Sequence, residues 1–326
     1  MIMKAIIFKE VGEPENLVLA EVPVPSIEGH EVLVQVKAIS INPVDAYVRK
    51  NKPYLDAVYQ VTGAEQHIIL GWDVAGIVTG TGKNVTKFKA GDEVFGNFKF
   101  IGQANAYAEY VAAPENQLVL KPANVSFEAA AGATMAAMTA WQSIVNSGKV
   151  KKGDKVVVHG ASGGVGHYAV QFAKHFGAYV IGVSSGENRD FVLGLGADEF
   201  IDYKTQVFEE LVTDADIVHD TVWSEDDKHI ERSLKALKPG GTLLSLIVYP
   251  EPELIERALR EKNVKVLRVN VTPNETYEQN MEYVAGLLSS GEVKTHISHV
   301  FPLEEMYKAH ALIQSKNTVG KIIVMP

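Results

Sequence analysis

Gly160, Gly163, Gly164 and Gly166, interleaved with Ala161, Ser162 and Val165, sit inside the run KVVVHGASGGVGHYAVQFAKHFGAYVIGV at 155–183. Small residues at this spacing let backbone N–H groups approach an anion, and a helix starting directly after them adds partial positive charge at its first turn. The chemistry such a turn serves is phosphate binding. Val156 to Val158 form a β-branched run before the glycines, a helical apolar pattern follows Gly166, and a second apolar run covers Tyr179 to Val183. Strand, glycine turn, helix, strand is the order of a dinucleotide-binding βαβ unit. Ala161 stands where the usual G-x-G-x-x-G has its first glycine, a change a tight turn tolerates. Ala161, Ser162, Gly163, Gly164, Val165 and Gly166 are therefore expected to bind the pyrophosphate of a cofactor.

The end of the second strand bears on which cofactor. An NAD-binding unit places an Asp or Glu there on the ribose 2′-hydroxyl. This chain has Ser184 and Ser185, with Arg189 shortly after. A carboxylate would repel a 2′-phosphate, so its absence favours NADP. Arg189 also reads as a solvated helix charge.

The elements needed to hold such a turn fit the chain. Its 326 residues allow two domains, and a hydrophobic fraction of 46% supplies their cores. A net charge of −9 with no Lys/Arg cluster argues against nucleic acid or an anionic membrane as partner. The chain has no cysteine, which excludes disulfides, thiolate catalysis and Cys-based zinc sites. MIMKAIIFKE shows no apolar leader pattern, so a soluble, cytoplasmic protein is expected.

From Met3 to about Lys121, short alternating runs separated by Gly, Pro and Asp read as a β-rich domain, and Gly91-Asp92 reads as a turn. Asn51 to Ile69 reads as a loop of the kind that shapes pockets. From Lys155 strands and helices alternate, predicting a six-stranded, doubly wound parallel sheet. After Gly291 the β pattern returns, and Lys321–Val324 is expected to rejoin the first domain. The expected boundaries are 1–122 with 297–326 for the β-rich domain and 123–296 for the α/β domain.

This layout resembles the medium-chain dehydrogenase/reductase superfamily, in its zinc-independent quinone oxidoreductase branch. The resemblance rests on ISINPVDAYVR at 39–49, LGWDVAGIV at 70–78, KAGDEVFG at 89–96, HGASGGVGHYAVQFAK at 159–174, LGADEFIDY at 195–203 and GKIIV at 320–324. It implies a GroES-like catalytic domain, a Rossmann domain, an active site in the cleft between them, and NADPH-dependent reduction of quinones or α,β-unsaturated carbonyls. Zinc-dependent relatives carry a Cys in the segment matching Ile41-Asn42-Pro43 and a His in the one matching Gly71-Trp72-Asp73. Here those ligands and the four-cysteine lobe are absent, so no metal is expected. If Trp72 stands at the ion's place, its indole would make the pocket apolar. His296 and His299 read as surface residues rather than as ligands.

By the same resemblance Asn42 lies beside the nicotinamide ribose and the acceptor, although it reads equally as a turn residue before proline. Asp45 reads as a helix cap. Among Tyr47, Tyr54 and Tyr59, Tyr54 best fits a pocket-lining hydroxyl, and each also reads as packing. Arg189 or Asn188, with Tyr203 and Lys316, would contact the 2′-phosphate. Ser245-Leu246-Ile247 and Val269-Asn270-Val271 would offer backbone groups to the carboxamide. Trp223 departs from the glycine common in relatives. A homodimer is expected through the strand Val264–Val269, left at a sheet edge. The alternatives are an NADPH-binding sensor or partner-binding protein with little turnover, and, disfavoured by the missing ligands, a zinc alcohol dehydrogenase.

Overall fold

The computed structural model describes every residue except 9, 62–66, 224–227, 249 and 270–274. The chain divides into two compact units, Met1–Ala136 with Thr272–Pro326, and Ala137–Val271. Among the described residues no helix is long and apolar enough to cross a membrane.

The first unit is β-rich. β1 (Ile2–Phe8) and β2 (Leu17–Pro23) form an antiparallel hairpin. The larger sheet is built from β3 (Glu31–Ile41), β4 (Asp73–Thr81), β5 (Glu93–Asn97), β6 (Tyr110–Pro114) and β7 (Val119–Leu120), with two strands from the far end of the chain, β14 (Ile297–Pro302) and β15 (Lys321–Met325). Their order is β14-β15-β3-β4-β5-β7, with β6 paired to β3. β3 shows why the sheet closes around a core. Val32, Val34 and Val36 alternate inward along its first half, whereas every residue from Ala38 to Ile41 is buried. The helix Phe127–Gly132 packs against β3, so both faces of that half are covered. Side chains of β1, β3, β4 and β15 meet in one apolar cluster that includes Ile6, Val34, Val74 and Ile322.

The register of this sheet is what builds a site. Ile322 of β15 pairs with Ile41 of β3, Ser40 of β3 with Asp73 of β4, and Asp73 with Asn97 of β5. Residues distant in sequence thus converge where β3 hands over to the helix Pro43–Lys50.

The second unit is a parallel sheet of β8 (Lys155–His159), β9 (Tyr179–Ser184), β10 (Glu199–Asp202), β11 (Ala215–Asp220), β12 (Leu237–Ser245) and β13 (Lys265–Arg268). The order β10-β9-β8-β11-β12-β13 reverses direction between β8 and β11, the switch point at which a doubly wound sheet binds ligands. Both the parallel sheet and the β-rich unit agree with the fold class expected from the sequence. Val157, Ile181, Val218 and Leu243 form the centre of its core.

Candidate functional site

In the second unit the glycine turn leaves β8 at Gly160, whose φ of +68° lies in the left-handed region that glycine adopts without strain. Gly163 N–H donates back to Gly160 O at 2.9 Å, and Ala161 N–H donates to Val183 O at 3.1 Å, tying the turn to β9. The helix Gly166–His175 begins directly afterwards. A Cβ on Gly166 would lie 2.0 Å from Gly160 O, so this helix start approaches the turn more closely than any side chain permits. That cradle fits a pyrophosphate, which needs backbone N–H groups rather than side chains.

Beside the turn the hydroxyls of Ser162 and Ser184 are 2.7 Å apart. Asn188 Nδ2 donates to Ser162 Oγ at 3.2 Å, Ser184 Oγ at 3.3 Å and Ser185 Oγ at 3.0 Å. The structure therefore brings Ser162, Ser184 and Ser185 together under one amide. Tyr203 is exposed and follows β10, its N–H donating to Ser184 O at 3.2 Å. Arg189 is exposed, with its guanidinium 5.7 Å from the centre of the Phe200 ring. The exposed Glu187, two residues before Arg189, pairs with Lys204 at 3.2 Å, a contact with no signal in the sequence. Ser245 ends β12 with its hydroxyl donating to Val248 O, and Leu246 N–H donates to Asp220 O at 3.1 Å. Asp220 also accepts from Val222 N–H at 2.9 Å, which shapes the loop leading to the half-exposed Trp223. Asn270 and Val271 lie outside the described residues. Lys316 belongs to the first unit, at a φ of +59° after the helix Met306–Gln314.

The first unit holds a buried polar cluster centred on Asn42. Its Nδ2 donates to Asp73 Oδ2 at 2.7 Å, and Asn97 Nδ2 donates to Asp73 Oδ1 at 2.9 Å. Lys321 Nζ donates to Asn42 Oδ1 at 2.6 Å and to Ile41 O at 3.2 Å. Asn42 N–H donates to Asp45 Oδ2 at 2.6 Å, so Asp45 caps the helix Pro43–Lys50, as its position implies. Asn97, Asp73 and Lys321 were not singled out for this role from the sequence; only pairing across three strands assembles them.

Burial sets the electrostatics. Asp45 is pushed up to about 8 by burial and by the charge of Asp73, against the pull of the Asn42 N–H and of Lys321. Burial also raises Asp73, despite Lys321 and the amides of Asn42 and Asn97, and it lowers Lys321. Two acids and one base share a dry space, with the Tyr107 hydroxyl beside Asp45. The Lys321 charge therefore favours the ionised form of Asp73 against burial, while Asp45 keeps its proton at neutral pH. Behind them Arg49 Nε donates to His310 Nδ1 at 3.3 Å. The imidazole must then carry its hydrogen on Nε2 and donate it to Tyr107 Oη at 2.9 Å. Burial, followed by the Arg49 charge, holds His310 down at about 3, so the ring is neutral.

The expectation of an indole-lined pocket is corrected here. Trp72 is fully buried in the apolar core, its ring against Phe100 and Tyr59 and its Nε1 donating to Gly102 O at 2.8 Å. Neighbouring residues of an extended chain face opposite ways. Asp73, not Trp72, therefore meets Asn42, and the surroundings of Asn42 are ionic rather than apolar. Tyr59 is core, its hydroxyl bonded to Ile69 O and Asn105 Oδ1. Tyr54 is half exposed, 6.1 Å ring to ring from Tyr47. His299 is exposed on β14 and His296 is half-buried before it.

A zinc ion does not fit these residues. The Lys321 ammonium already lies 2.6 Å from Asn42 Oδ1, where its charge opposes a dication. Among the described residues no three His, Cys, Asp or Glu side chains form a metal-holding group.

Comparison with known proteins matches residues 28–123 to the alcohol dehydrogenase GroES-like domain and residues 195–324 to the zinc-binding dehydrogenase domain. The chain is 32% identical to the chloroplastic quinone-oxidoreductase homolog of Spinacia oleracea, covering 97% of this chain and 95% of that protein. It is 31% identical to the chloroplastic NADPH-dependent alkenal/one oxidoreductase of Arabidopsis thaliana, covering 99% and 80%. The solved quinone oxidoreductase from Coxiella burnetii superposes with a TM-score of 0.90 at 31% identity over the whole of both chains.

Proposed function

We propose, because this chain belongs to the medium-chain dehydrogenase/reductase superfamily as a quinone oxidoreductase-like oxidoreductase, that it reduces quinones or α,β-unsaturated carbonyls with NADPH and without zinc. The observation that carries this reading is the environment of Asn42, where an amide held by Asp73 and Lys321 stands in place of metal ligands. The bound nicotinamide would supply hydride. The protein's own task is then to orient the acceptor and stabilise the negative charge that develops on its oxygen. A conjugated carbonyl needs one hydrogen-bond donor for this, whereas a simple alcohol would need a Lewis acid to lose its proton. Asn42 supplies that donor, and the exposed hydroxyl of Tyr54 lines the approach. The names of the spinach quinone-oxidoreductase homolog and the Arabidopsis alkenal/one oxidoreductase support the same acceptor class. Purified protein should oxidise NADPH with a benzoquinone or a 2-alkenal, undiminished by a chelator. Absence of turnover with every such acceptor would leave an NADPH-binding protein, and activity that vanishes with chelator and returns with Zn²⁺ would overturn the reading.

NADPH is preferred over NADH in this proposal because hydroxyls of Ser162, Ser184 and Ser185 line the end of β9, with Arg189 and Tyr203 exposed nearby. Lys316 joins them on the strength of the resemblance alone. A charge-assisted contact is worth about 1.5–3 kcal/mol, so Arg189→Ala should raise the NADPH KM by at least about tenfold and leave that of NADH nearly unchanged. Equal wild-type affinity for the two cofactors would refute the preference.

We also infer a homodimer. Among the described residues β13 ends its sheet with one edge unpaired, a liability that a second copy would cover. Sedimentation at micromolar concentration should give twice the chain mass, and a monomer there would exclude this assembly.

A further inference from the structure

The amide of Asn42 has two ends that hydrogen-bond differently, and the structure shows what decides between them. Lys321 carries only donors, so the atom it meets at 2.6 Å must be the amide oxygen. The other end of the amide, which Asp73 Oδ2 meets at 2.7 Å, is then the nitrogen, and it donates to the carboxyl oxygen. Asn97 holds the other Asp73 oxygen at 2.9 Å and stops the carboxylate from turning. After these contacts Asn42 Nδ2 keeps one N–H without an acceptor among the described residues. Lys321 itself is buried, 279 residues from Asn42 in sequence, and among the described residues its Nζ otherwise donates to Ile41 O.

We propose that Lys321 is a positioning residue: its ammonium holds Asn42 with the amide oxygen inward, so that the remaining Nδ2–H is presented as the donor for the acceptor's oxygen. The inference rests on the reductase reading above for the identity of the acceptor, but the orientation itself does not. Without Lys321 the amide could turn over whenever Asp73 took up a proton, and would then present an oxygen, which repels a developing oxyanion. The groups facing Asp73 that bear on this are Asp45 and Lys321, with Tyr107 and Tyr277 farther off and the neutral side chains of Asn42, Asn97 and Thr134. Lys321 is the cation of this set, and its charge favours the ionised form of Asp73 against burial.

The test uses the full chain with NADPH, 1,4-benzoquinone and a 2-alkenal, comparing wild type, Lys321→Met, Asn42→Ala and the double variant. Loss of one oxyanion donor lowers kcat by about 100-fold, so each single variant should lose on that order while the KM for NADPH stays unchanged. The double variant should be no worse than Asn42→Ala, because Lys321 acts through Asn42. The acid limb of the Lys321→Met pH profile should move to higher pH, since Asp73 then protonates more readily. Losses that multiply in the double variant, with an unmoved acid limb, would mean a structural role only. The side-chain amide spectrum of Asn42, assigned by its disappearance in Asn42→Ala, decides the matter without turnover. Wild type should show one protected and one faster-exchanging N–H, and two equivalent protons would overturn the proposal even if Lys321→Met did not fold. A wild type without turnover would remove the reductase reading and leave the orientation to be judged on this spectrum alone.

Discussion

Gly166→Val should weaken cofactor binding by at least about 100-fold while leaving both units folded. The added Cβ would sit 2.0 Å from Gly160 O and 2.7 Å from Gly160 C. Both are backbone atoms, so neither can swing aside as a flexible side chain would. Gly160 is also anchored, accepting from Gly163 N–H at 2.9 Å at the foot of β8. The clash is relieved only by opening the turn or by backing the helix Gly166–His175 away from it, and either movement withdraws the N–H groups aimed at a pyrophosphate. Hydrogen bonds to charged groups are worth about 1.5–3 kcal/mol each, so losing two should weaken NADPH binding by at least about 100-fold. Gly163→Ala is the milder control, because its Cβ would meet Gly160 O at 3.2 Å. Fluorescence titration with NADPH measures both, with circular dichroism to confirm folding. Near-normal affinity in Gly166→Val would show that the turn is not the cofactor site.

The second large effect concerns stability against pH. Asp45 has a native pKa of about 8, against an ordinary value near 3.8, with burial the main cause. Between those values the native state holds a proton that the unfolded state has lost. The stability this contributes is fully present below the unfolded value and is lost as pH rises through the native one. Asp45→Asn keeps an oxygen to accept from Asn42 N–H and removes the titration. The variant's stability relative to wild type should therefore climb between pH 5 and 8, by up to about 1.4 kcal/mol per pH unit, and level off above. Any constant penalty from the new amide shifts the whole difference without changing its slope. Urea denaturation can be followed through Trp72, buried in the first unit, on a Trp141→Phe, Trp223→Phe background. A difference curve flat from pH 5 to 9 would mean that Asp45 is ionised in the native protein.

Much of the second unit was legible in the amino-acid sequence, because what it uses is local. The β-branched run before Gly160, the small residues at fixed spacing and the helical pattern after Gly166 lie within one continuous stretch, and backbone sterics alone dictate a strand, a turn and a helix there. Ser184 and Ser185 followed from the same stretch, since they end its second strand. The missing thiols could be read directly, because no folding supplies a ligand that the chain lacks.

The surroundings of Asn42 could not be read in this way. Asp73 is 31 residues from Asn42, Asn97 a further 24, and Lys321 lies 279 away. Nothing in the spacing of those residues distinguishes them from strand ends. They meet because β15 pairs with β3, β3 with β4 and β4 with β5 in one particular register, and a shift by one residue would send each side chain to the opposite face. Trp72 and Asp73 show the same dependence. Their positions along the chain were plain, but which of the two faced Asn42 was settled only when the sheet closed, putting the indole into the core and leaving the carboxylate for the amides of Asn42 and Asn97. The sequence by itself determined a glycine turn with its flanking strands and the absence of thiol ligands, because those are properties of neighbouring residues. Tertiary structure decided the ionic site, because a buried charge is stable only beside partners that a long-range strand pairing brings to it.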